Sequence, residues 1–274
     1  MRNKKILSLL LSFLFVTYFP AFAQVDSIPA EVKPFVLPDY ELMDYEKGDL
    51  NNDKRIDAII VLKRIGEDSL YDINTNEEDT TLTEILRPFI ILIRQADGKL
   101  KQVVRNDHVI MCRRCGGVFG DPYEGIDIHP GGFNVYFYGG SSWRWAQHYY
   151  FSFKGAKKDW YLVKFFETSF HMSDPEKATD LTIAESELGE IPVEKFDVES
   201  DWKGEEVKWK VIAAKTYFYD NPQLGSKPRK GYLVKGDIAS QMRQFKNFVQ
   251  VMFSDEKGVY TTGFILKKDL LKIQ

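Results

Sequence analysis

Cysteine is scarce in this 274-residue chain: there are two, Cys112 and Cys115. Catalytic signatures are missing too. No G-x-S-x-G elbow, H-E-x-x-H helix or P-loop occurs, so those routes to acyl transfer, metalloproteolysis and nucleotide binding have no support. Positive charge is in short supply, with 37 Lys and Arg against 40 Asp and Glu, a net −3. A phosphate backbone needs a positive surface, so nucleic acid is not an expected partner. No motif recurs at a fixed period, which argues against a propeller built from repeated blades.

The one long apolar run is at the start. Arg2, Lys4 and Lys5 precede an apolar stretch over 6–19, Pro20 breaks it, and Ala21-Phe22-Ala23 forms a small-residue cleavage site. This reads as a secretory signal cut before Gln24, shorter than a comfortable membrane span. No cysteine lies near the cut, so no lipid anchor is expected. Loss of 1–23 leaves 34 Lys and Arg against 40 acids, a net −6. The expected location is periplasmic or secreted, with no transmembrane segment after cleavage. The chain is rich in aromatics (20 Phe, 14 Tyr, 5 Trp), with Gly and Pro spread throughout, which favours β structure.

The most informative stretch is 48–57, followed by the apolar run 58–62. Oxygen-bearing side chains fall at Asp49, Asn51, Asp53 and Asp57, and Arg55 offers a backbone carbonyl between them. Calcium takes six to eight oxygens from such flexible loops. An EF-hand is excluded, because Lys54 stands where its glycine belongs and Ile60 where its glutamate belongs. The stretch resembles the FG-GAP (VCBS) repeat, in which an acidic turn binds calcium and leads into a strand. That resemblance implies calcium at Asp49, Asn51, Asp53, Arg55 and Asp57. It departs from the family at Asn52 and Lys54, where glycine is usual. The alternative is an acidic turn without metal.

Residues 24–172 read as an antiparallel β domain, meander-like or sandwich-like. Residues 24–39 are an extended lead-in. Strands are expected over 58–63, 88–95, 99–105, 125–129, 133–138, 143–153 and 159–167, with an acidic insertion loop over 67–84. Asp97-Gly98 marks a hairpin. Cys112-x-x-Cys115 is most simply a small-loop disulfide in an exported protein. Zinc, with His108 or His129 as further ligands, and thiol exchange are the alternatives. Trp143, Arg144, Trp145 and His148, near Asp121, are candidates to hold a sugar or peptide, since aromatic faces stack and arginine grips an anion. The alternative is that the tryptophans are core. Residues 39–172 as a whole resemble uncharacterised exported bacterial proteins, which implies no activity.

Residues 173–206 are strongly acidic and read as a linker. Residues 207–274 read as short strands. Thr216-Tyr217-Phe218-Tyr219-Asp220, Tyr232-Leu233-Val234-Lys235-Gly236-Asp237, Phe248-Val249-Gln250-Val251 and Thr262-Gly263-Phe264-Ile265 resemble the bacterial SH3-like domain. The resemblance implies a small β-barrel, often a cell-wall or peptide-binding module, with Tyr217, Tyr219, Phe245 and Phe248 as groove candidates. The expected whole is a mainly β, exported, non-enzymatic envelope protein with no catalytic residues, whose partner is a cell-wall peptide or glycan or another envelope protein. The alternatives are a cell-wall hydrolase with a cleft near Asp121, Arg144 and His148, and a redox protein using the cysteine pair.

Overall fold

The structure, a computed structural model, describes residues 28–67, 85–198, 207–255 and 258–273. The predicted signal segment, residues 68–84 of the expected insertion loop and residues 199–206 of the expected linker lie outside the described residues. The fold is mainly β and antiparallel, and no sheet closes into a full barrel or propeller among the described residues.

The first sheet has the order β1-β2-β3-β4, with β1 at Tyr40–Gly48, β2 at Asp57–Arg64, β3 at Phe89–Arg94 and β4 at Leu100–Asn106. Strands β2 and β3 are apolar without alternation because both faces of the sheet are covered. Ile59, Val61, Phe89 and Ile91 point into the main core. Ala58, Ile60, Leu62, Ile90 and Leu92 form a second cluster with Val32, against which Phe35, Val36 and Leu37 pack. The lead-in is therefore the cover of the outer face, with a short 3-10 turn at Lys33–Phe35. Strand β1 gave no signal in sequence. It is an edge strand, half-buried and mixed in polarity.

The second sheet follows chain order: β5 (Tyr123–His129), β6 (Gly132–Gly140), β7 (Trp143–Lys154), β8 (Asp159–His171) and β9 (Asp174–Ala184). Phe133, Val135 and Phe137 of β6 are fully or almost fully buried and face the first sheet. Strand β9 corrects the expected linker. Its acidic residues stand on an exposed edge, while Ile183 is buried. Helix α1 (Glu185–Leu188) and the segment around Ile191 then fold back onto β8, where the Leu162 amide donates to the Ile191 carbonyl at 2.9 Å.

The third sheet has the order β15-β14-β13-β10-β16, from β10 (Lys208–Val211), β13 (Ile238–Gln244), β14 (Phe248–Ser254), β15 (Tyr260–Leu266) and β16 (Leu270–Lys272). Strands β11 (Lys215–Tyr217) and β12 (Tyr232–Val234) make a separate ribbon. Strands β10 and β11 are separate, because the chain leaves the sheet after Val211 to join the ribbon. The ribbon reaches the sheet through a bridge between Tyr219 and Phe264. The C-terminal unit is accordingly an open sheet with an overlying ribbon, where a closed barrel was expected.

The two halves share a core. Phe245, Phe248 and Phe264 of the C-terminal unit belong to the same buried cluster as Tyr149, Phe165 and Phe196. The Glu187 carbonyl accepts from the Lys246 amide, and its carboxylate accepts from Asn247 at 3.1 Å.

Candidate functional site

The acidic turn between β1 and β2 links the first two sheets. Leu50, at its start, is fully buried, and its carbonyl accepts from the Trp160 indole at 2.7 Å. The Asp49 carbonyl accepts from the Gly131 amide at 2.8 Å. Asn52 and Lys54, which replace the usual glycines, both adopt left-handed backbone, at φ 64° and 66°. The chain therefore follows the turn geometry that glycine favours, at a conformational cost that is larger for lysine.

Carboxylate oxygens of Asp49, Asp53 and Asp57 lie within 4.8 Å of one another. Asp49 accepts from the Asp53 and Lys54 amides, and Asn51 Oδ1 from the Asp53 amide. Asp57 is buried, with its oxygens accepting from the Leu50 and Arg94 amides at 3.0 and 2.8 Å. Burial, with Asp53 and Asp49 nearby, pushes its carboxyl above the ordinary range. At Asp53 burial acts upward as well, but hydrogen bonds from Arg55 and Asn51 outweigh it and hold the group low. The Arg55 guanidinium pairs with Asp53 at 2.6 Å.

Cys112 and Cys115 form a disulfide, with Cα atoms 5.2 Å apart. Neither sulfur is then a thiolate ligand for zinc in this state. Beyond it, Gly116, Gly117 and Gly120 let backbone approach backbone. The Gly116 amide donates to Gly120, and the Gly140 amide to Gly116, both at 2.9 Å. A Cβ on Gly116 would stand 2.6 Å from the Gly120 oxygen.

The expected insertion loop begins with a residue that is anything but solvated. Glu67 is buried and pairs with buried Arg87 at 3.0 Å. Arg87 also takes Asp121 at 2.7 Å and the Met111 carbonyl at 3.2 Å. Asp121 is therefore committed to Arg87, and it shares no hydrogen bond with Arg144 or His148.

The four residues picked out on β7 divide. Trp145 packs against the core, whereas Trp143 is exposed and meets His171 edge-on at 5.1 Å between ring centres. Arg144 and His148 share the outer face of the sheet, His148 between Tyr136 and Phe166. Burial, assisted by Lys164, holds His148 below the ordinary histidine range.

The expected aromatic groove also divides. Phe245 and Phe248 are buried in the shared core, so neither presents a free face, because the C-terminal sheet docks there. Tyr217 is exposed and contacts Tyr232, over which Lys215 lies at 3.5 Å. Tyr219 lines a cavity of about 580 Å³ with Leu224, Ser226, Asn247, Leu266 and the edge of Phe248. Lys246, Lys267 and Lys268 stand around it. None of the three ammonium groups has a side-chain partner among the described residues. Charge explains the setting: residues 207–274 carry 13 Lys and Arg against five acids, a net +8, whereas 24–206 carry 21 against 35, a net −14. This asymmetry was readable in the sequence and is concealed by the modest total.

A further cavity, of about 290 Å³, lies between the halves, lined by Tyr149, Phe165, Ile191, Phe196 and Phe245. Among the described residues no helix is long and apolar enough to cross a membrane. No protein-family model, curated protein or solved structure matches the chain.

Proposed function

We propose that this is an exported, non-enzymatic binding protein of the bacterial envelope, and that its SH3-like C-terminal unit takes a short cell-wall peptide bearing carboxylates. The cavity beside Tyr219 carries this reading. It joins an apolar floor to three unpaired lysines in a unit of net charge +8. Binding sites commonly combine an apolar lining with a few converging polar groups. Lysine serves as a point charge that follows a mobile carboxylate. A peptide stem with free carboxylates satisfies both parts, and a neutral glycan satisfies only the floor.

The test is calorimetric titration with a dicarboxylate stem peptide and with its amidated form. The acid form should bind, and the Lys246→Ala/Lys268→Ala double variant should lose that binding while melting normally. Equal binding of both forms, or of both proteins, removes the reading.

A second reading concerns the acidic turn, where Asp49, Asn51, Asp53 and Asp57 would hold calcium. The donor set is all oxygen, as calcium requires, and three carboxylates converge on one place. Arg55 now occupies one oxygen of Asp53 and would have to swing away. Calcium would supply the charge that the three carboxylates lack and fix the junction of the first two sheets. Added calcium should raise the melting temperature and a chelator reverse it, with Arg55→Ala tightening the response. Melting indifferent to both reagents would eliminate the metal.

A further inference from the structure

The outer face of the second sheet bears two neighbouring groups of rings. Tyr136 meets His148 at 4.9 Å between ring centres, and His148 meets Phe166 at 5.4 Å. Tyr138 lies two residues along β6 on the same face and meets Phe119 at 5.3 Å. Lys164 lies over Tyr150 at 3.6 Å, on strands neighbouring the rings. The rings on the strands are half-buried, and neighbouring planes are inclined, by 85° between Tyr136 and His148 and by 45° between His148 and Phe166.

Arg144 stands at one end of this platform. Its guanidinium stacks on Phe119 at 3.9 Å. One long hydrogen bond, 3.4 Å to the Gly140 carbonyl, holds it. Its Nε is one of only two buried side-chain polar atoms without a partner among the described residues. Arg55, Arg87, Arg94, Arg105, Arg229 and Arg243 each pair with a carboxylate, and Arg144 pairs with none. A buried donor left unmade is costly, and a planar fork pre-set by stacking is suited to a bidentate anion.

We infer that this face binds an acidic saccharide, with the carboxylate on Arg144 and the sugar rings over Tyr138, Tyr136, His148 and Phe166. The C–H faces of a pyranose are apolar and pack against half-buried aromatic rings such as these. The site lies on a different sheet from the proposed peptide groove and does not depend on it. A lipid surface fits less well, because a bilayer interface takes side chains that protrude.

The experiment uses the full chain carrying Lys246→Ala/Lys268→Ala, so that the groove does not contribute. It is titrated with a short hyaluronan oligosaccharide and with a neutral chitin oligosaccharide of equal length, read by NMR shifts and by calorimetry. The acidic oligosaccharide should bind and the neutral one bind about tenfold more weakly or not at all. Arg144→Lys keeps the charge, removes the fork and should weaken binding by about the same factor. Tyr136→Ala should weaken both sugars alike. The melting temperature of each variant shows that it is folded. Equal binding of the two sugars, binding unaffected by Arg144→Lys, no saturable binding of hyaluronan, or association with anionic vesicles alone overturns the proposal.

Discussion

The indole of Trp160 on β8 donates to the carbonyl of Leu50 at the head of the acidic turn, 2.7 Å away and out of contact with water. One hydrogen bond thus ties the turn of the first sheet to the fourth strand of the second. Trp160→Phe keeps a large ring there and leaves the carbonyl unpaired. It should cost about 1–3 kcal/mol in denaturant unfolding. Trp160→His would regain part of that loss only if its ring nitrogen reached Leu50.

Arg87 is held by two carboxylates, with Glu67 as buried as Arg87 itself. Its burial works against its charge, but the hydrogen bonds it donates to Asp121 and Glu67 more than compensate and keep it protonated. Arg87→Met leaves Glu67 charged and dry, and should destabilise by about 3–5 kcal/mol. Arg87→Met combined with Glu67→Leu should recover much of this, since a packed apolar pair replaces the ion pair. Chemical denaturation of the single and double variants checks both values.

The Cys112–Cys115 disulfide closes a very short loop. Loop-closure entropy for so few residues is worth only about 2 kcal/mol. Cys112→Ser/Cys115→Ser should therefore fold, with a lower melting temperature. The larger effect should be local, as amide exchange quickens over 116–120, where hydrogen bonds between glycine backbones hold the loop against Gly140.

His148 adds a pH dependence whose sign is fixed. Its folded-state value lies below the ordinary 6.5, through burial first and Lys164 second. The unfolded chain then takes up the proton at a higher pH than the native one. Stability is present above the ordinary value and is lost as pH falls towards the native one. Tyr136, Tyr150, Phe166 and Lys164 surround the ring, with no carboxylate among these contacts to offset the charge. Between about pH 7 and 5 the wild-type melting temperature should fall more than that of His148→Gln, in parallel scans.

Local patterns announced much of this architecture. The alternation in 133–138, the Asp97-Gly98 turn and the glycine-rich breaks placed most central strands within one or two residues, because each depends on neighbours in the chain, while β8 runs four residues past its expected end. Strand β1 stayed hidden because it is an edge with no buried stripe, and β9 because its acidic residues need only water on their outward side. Glu67 looked like part of a solvated loop, since nothing local foretells a cation 20 residues away in the chain.

Composition and spacing alone determined a mainly β chain, a close cysteine pair, an acidic turn ahead of a buried strand and the aromatic residues now seen on several faces. Only the tertiary structure decided which aromatics are free. Docking of the C-terminal sheet took Phe245 and Phe248 into the shared core and left Tyr219 at the cavity edge. The register of β6, β7 and β8 put Tyr136, His148 and Phe166 side by side and left Arg144 without an acid. Burial and pairing of this kind are set by which distant segments meet, and hydrophobicity at a single position carries no record of that meeting.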